Sequence, residues 1–112
     1  VKLTFLTKDK ATVEALKLEP MIFRPEGEPQ QLMPKGKRFG GDELNELLGC
    51  RTIDVVNLEN GLYIIVDGEN KLNGQPYNHL ATSFWLTIQP HIKGWDYVAG
   101  PAIICARKFL SK

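Results

Sequence analysis

Cysteine is scarce in this chain. Two residues in 112, Cys50 and Cys105, cannot build a disulfide framework or a cysteine-based zinc site. They bridge each other only if their Cα atoms come within about 7 Å, and both read as small packed or half-packed hydrophobes. Excess charge is equally scarce, with 14 Lys+Arg against 13 Asp+Glu. That balance argues against a strongly basic nucleic-acid module or a polyacidic tail, while leaving room for a local patch. Long apolar runs are missing too. Leu62 to Val66 and Ala102 to Ala106 are bounded by polar or turn residues, far short of the roughly 20 residues of a membrane-spanning helix. Val1 to Lys10 lacks the apolar stretch and small-residue cleavage site of a secretory signal, so a cytoplasmic protein without membrane contact is expected.

What remains is an ordinary composition, 43% hydrophobic and 24% charged, which suits one globular domain. A chain of this length buries roughly two-thirds of the surface its unfolded form exposes, enough for a core without metals or cross-links. Residues 1–20 form an extension of uncertain structure, in which Leu3, Phe5 and Leu6 suit a strand and 11–18 carries helix formers. From Met21 the pattern is that of a single domain, 21–112. Met21 to Arg24, a Pro- and Gly-containing turn, and Gln30 to Met33 read as a hairpin. Asp42 can cap a helix over 42–48, with Leu44, Leu47 and Leu48 on one side and Gly49 at its end.

Thr52 to Asp67 carries the strongest local signal, two β-branched runs joined by Asn60-Gly61, a dipeptide suited to a two-residue turn. With those two residues at the centre, Leu58 faces Tyr63, Val56 faces Ile65 and Asp54 faces Asp67. Both faces are partly apolar, which places the 52–67 hairpin centrally. Asn78 can then cap a helix over 78–89 whose Leu80, Ala81, Phe84, Trp85 and Ile88 make one apolar stripe, packed on the sheet. Asp96 to Ala99 and Ala102 to Phe109 read as a terminal strand broken at Gly100-Pro101. The expected fold class is α+β, a small antiparallel or mixed sheet with one short and one packed helix.

Three blocks, Met21 to Gly27, Asp42 to Gly49 and Asn60 to Ala81, resemble a domain-of-unknown-function family, numbered three-eight-four-six, of small phage, plasmid and conjugative-element proteins. The resemblance spans about residues 21–110, and its most specific piece is Glu69-Asn-Lys-Leu-Asn-Gly-Gln-Pro-Tyr-Asn-His-Leu-Ala81. It implies a fold and a mobile-element setting, with no catalytic residues and no mechanism.

Candidate sites are few. The loop Gly74 to Asn78 precedes a helix, but it lacks the Lys-Ser/Thr of a phosphate-binding loop, and its residue types are those of a connector. Asp67 to Asn70 has its Gly misplaced for a calcium loop. His79 and His91 lack further ligands at metal-binding spacing, so neither metal nor cofactor is expected. A small enzyme would have to assemble its site around His79, His91 and Cys105, yet a thiol in an apolar strand resists ionisation. Lys35, Lys37 and Arg38 with Phe39 form a basic loop able to touch nucleic acid. The favoured reading is a non-enzymatic, monomeric or homodimeric module. It binds an unidentified protein partner through Asn73, Gln75, Tyr77, His79, His91 and Trp95, where aromatic and amide groups concentrate.

Overall fold

The computed structural model describes residues 10–58, 60–70, 72, 74–92, 94 and 96–110. Its elements are α1 (Lys10–Leu18), β1 (Met21–Phe23), β2 (Gln30–Gln31), α2 (Gly41–Leu48), β3 (Ile53–Asn57), β4 (Leu62–Asp67), α3 (His79–Ile88) and β5 (Ala102–Ala106), with short 3-10 turns over Pro90–Ile92 and Arg107–Phe109. The strands form one antiparallel sheet in the order β2-β1-β5-β4-β3. The fold is α+β, as the residue pattern implies.

The sheet has a core on each face. Leu58, Leu62, Ile64, Val66, Ala102 and Ile104 pack with Leu16 of α1 and with Ala81, Phe84 and Trp85 of α3. Ile65, Ile103 and Cys105 pack on the other face with Leu44 and Leu48 of α2, and with Phe39 and Phe109. This sandwiching explains why Ala102 to Ala106 is an unbroken apolar run. All five residues of β5 are buried, and a strand covered on both faces does not alternate.

The long hairpin therefore sits to one side, not centrally: β5 holds the middle and β3 the edge. Its register also differs from the two-residue-turn reading. Val56 pairs with Ile64, Asn57 with Tyr63 and Ile53 with Asp67, while the Leu58 N–H donates to Leu62 O at 3.0 Å. Three residues instead of two lie between those last partners. Asn60 Oδ1 accepts from Leu62 N at 3.1 Å, and Gly61 takes φ 93°, which only glycine adopts without strain. The shift has a packing cause. A one-residue slip would turn Leu58 and Val56 away from Leu62, Ile64 and Val66, splitting the apolar face that α3 covers. Asp54 and Asp67 consequently lie on opposite faces, Asp54 opposite Val66.

Asp42 is not the cap of α2; Gly40 holds that position without a side-chain bond, and Asp42 and Glu43 stand in the first turn, where the helix dipole favours negative charge. The terminal strand is limited to Ala102–Ala106; among the described residues upstream, only Ala99 makes a bridge, to Tyr77. The expected cap at Asn78 holds, its side chain accepting from Ala81 N. No helix among the described residues is long and apolar enough to cross a membrane.

Candidate functional site

Beside α3 the chain folds into a cleft of about 70 Å³. Asp54, Val56, Ile64 and Val66 of the β3–β4 hairpin form its floor, and Asn70, Trp85, Asp96, Tyr97 and Val98 its walls. The floor follows from the observed register, which puts Asp54 on the same face as Val56 and Val66. The 96–98 wall is tied down by polar groups in otherwise apolar surroundings. Thr82 Oγ1 accepts from Val98 N at 2.9 Å and donates to Val98 O at 3.4 Å. Asn78 N donates to Val98 O at 2.8 Å, and Asn70 Nδ2 donates to Ala99 O at 2.9 Å. Trp85 Nε1 donates to Gln89 Oε1 at 2.8 Å, which satisfies the indole inside the fold.

An aromatic rim continues from the cleft. The Tyr77 ring stacks on Tyr97 with centroids 5.5 Å apart and meets His79 edge-on at 4.5 Å. Both tyrosines are about two-fifths exposed, at 42% and 40%, so the pair is presented to solvent while remaining anchored. Ligand pockets for small molecules usually measure about 300–1,000 Å³. A cleft of about 70 Å³ takes the head of one side chain and little more.

The structure sorts the sequence-derived candidates. Tyr77 and His79 meet at the N-terminus of α3, while the Gln75 side chain lies against Gly100. Asn73 and Trp95 lie outside the described residues. His91 lies beyond the other end of the ten-residue α3, about 15 Å of helix away from His79. Cys105 belongs to the opposite face of the sheet, in the core under α2. His79, His91 and Cys105 therefore do not assemble into one site, because the sheet and the length of α3 stand between them. Among the described residues, no three His, Cys, Asp or Glu side chains gather closely enough to hold a metal ion. In the basic loop, Lys35, Lys37 and Arg38 are exposed, but Phe39 is completely buried. The loop thus has no ring of its own to stack on a base.

Nothing in the sequence puts Asp54, Asn70 and Asp96 together. They are joined only by strand register and by the return of the chain past α3. Tyr97 joins the rim through its stacking on Tyr77, which stands just before α3.

The thiols behave as packed hydrophobes. Burial pushes Cys105 up from 9.0 to about 12, and both cysteines are free. Burial also raises Cys50, with repulsion from the Asp67 and Glu69 carboxylates adding to it and a backbone hydrogen bond at Thr52 opposing it. At pH 8 the native protein is expected to react with a thiol reagent at Cys50 only, more slowly than a free thiol, and at Cys105 only on unfolding. Below pH 9 neither state ionises Cys105, whereas between 9 and about 12 only the unfolded thiol does. Stability should therefore fall with rising pH there, by up to about 1.4 kcal/mol per unit. Rapid labelling of Cys105 in the native state at pH 8 would refute its burial.

The sequence profile described as "Domain of unknown function (DUF3846)" matches residues 16–109. No curated protein and no solved structure matches the chain.

Proposed function

Since the chain belongs to the DUF3846 family, whose description assigns no activity, we propose from its own surfaces that it is a non-enzymatic binding module. Its partner is a protein, docked through the cleft and its Tyr77–Tyr97 rim. The observation that carries this reading is the joining of a half-exposed, stacked tyrosine pair to a cleft sized for one side chain. Rigid aromatic anchors beside a small desolvating pocket are what concentrates binding energy at protein interfaces. Asp54 and Asp96 put two carboxylates in the cleft lining, Asp96 Oδ1 also accepting from Tyr97 N at 2.8 Å. The occupant is therefore an extended segment presenting Lys or Arg, its aliphatic stem along Val56 and Trp85 and its head at the carboxylates. A burial-inhibited thiol at Cys105 and two separated histidines supply no nucleophile–base pair, which favours binding over catalysis. The resemblance to phage, plasmid and conjugative-element proteins supports a role as a small cytoplasmic accessory protein of a mobile element.

Panning a random peptide display library against the full chain tests this. Peptides carrying a basic residue amid apolar ones should be enriched. Tyr97→Ala, and Asp54→Asn combined with Asp96→Asn, should each weaken their binding about tenfold or more, the effect of losing an interface hot spot. Enrichment of acidic peptides, or binding indifferent to both changes, would exclude this occupant.

A further inference from the structure

On the face of the sheet away from that cleft, two sequence-distant basic segments are brought side by side. Phe39 N donates to Phe109 O at 2.7 Å, and Phe39 forms a parallel bridge with Leu110. Both phenylalanines are buried in the second core, at 0% and 8% exposure, and pin the two segments from beneath. Lys37 and Arg38 immediately precede Phe39, and Arg107 and Lys108 immediately precede Phe109; all four are exposed, as is Lys35. The turn over Arg107–Phe109, closed by Leu110 N donating to Arg107 O at 2.9 Å, keeps the second pair next to the bridge. Four of the chain's 14 basic residues thus flank one bridge, with Lys35 two positions before Lys37, although the net charge is only +1. The ion pairs Lys17–Glu14 and Arg51–Glu69 use none of the five. Glu43, at the margin in α2, takes the backbone N–H of Lys35, not its ammonium group.

We infer that Lys35, Lys37, Arg38, Arg107 and Lys108 form one composite surface that binds the phosphate backbone of duplex nucleic acid. Charge and the fate of the rings favour this ligand. Phe39 and Phe109 are spent on the core, and Lys108 lies over the Phe109 ring at 5.3 Å. The surface therefore offers cations without a stacking platform, which suits regularly spaced phosphates better than unstacked bases. Base edges go unread, so binding is independent of sequence.

The test is fluorescence anisotropy of the full chain with a labelled duplex DNA of about 20 base pairs, repeated over a range of salt. Binding should be micromolar to sub-millimolar and weaken steeply, with a log–log salt slope of about 3 to 4.5 if most of the five cations each neutralise a phosphate. Arg38→Gln with Arg107→Gln should lower that slope by about 2, whereas either change alone should lower it by about 1. Because both side chains are exposed, the variants should keep the parent's circular dichroism. Tyr77→Ala should bind DNA as the parent does. Absence of binding at about 50 mM salt would overturn the inference. So would a slope unchanged by the double variant, or retention on anionic lipid vesicles without retention on the duplex.

Discussion

Replacing Asn78 with Ala should lower the unfolding free energy by about 3 to 5 kcal/mol, since it removes a helix cap and two buried donors at once. Asn78 is completely buried. Its Oδ1 accepts from Ala81 N at 3.1 Å, closing the first turn of α3. Its Nδ2 donates to Phe23 O and to Gly100 O, each at 2.8 Å, joining α3 to β1 and to the bend before β5. Alanine leaves both carbonyls without that donor. Asn78→Asp makes a sharper test, because it keeps the cap acceptor and loses only the donors. An ionised carboxylate would face two carbonyl oxygens in a buried site, so its folded pKa must lie above the ordinary value of about 3.9. The penalty should accordingly be greatest at neutral pH and shrink as pH falls, reaching its minimum below that ordinary value, where the acid is protonated in both states. Urea unfolding at several pH values reads both effects. An Asn78→Asp protein as stable as the parent at pH 7 would show that the amide does not bridge these elements.

Truncating Phe84 to Ala should cost about 3 to 5 kcal/mol, the range for a large aromatic removed from a packed core. Phe84 is 1% exposed and lies between α3 and the β4–β5 face, within the cluster that also holds Leu16, Leu62, Ile64 and Ile104. A domain of this size commonly has only about 5 to 15 kcal/mol of total stability. The variant should therefore unfold at much lower denaturant concentration and tend toward aggregation. Phe84→Leu, which keeps most of the volume, should recover more than half of the loss. Trp85→Phe should cost less, because the ring is retained and the main loss is the indole N–H bonded to buried Gln89. If Phe84→Ala melted like the parent, α3 would not be packed on the sheet.

Local chemistry determined much of this protein without any help from tertiary contacts. The stripe Ala81-Phe84-Trp85, the Asn78 cap, the Gly49 stop and the β-branched runs around Asn60-Gly61 are effects of neighbouring residues, and each formed where those neighbours required. Tyr77 and His79 were legible for the same reason, being two residues apart at the start of one helix. Tertiary structure decided what local chemistry left degenerate. Asn60-Gly61 accommodates more than one loop length, and the choice fell to the register that keeps Leu58 and Val56 on the face that α3 covers. Asp54 and Asp96 lie 42 positions apart, and Arg38 and Arg107 lie 69 apart. No periodicity links such positions; only the return of the chain past α3, and the bridge of Phe39 to Leu110, puts members of each pair on a common surface. Phe39 shows the same division. As a residue in a glycine-rich basic loop it reads as an exposed ring, and only a second core on the far side of the sheet, absent from any local pattern, draws it inside.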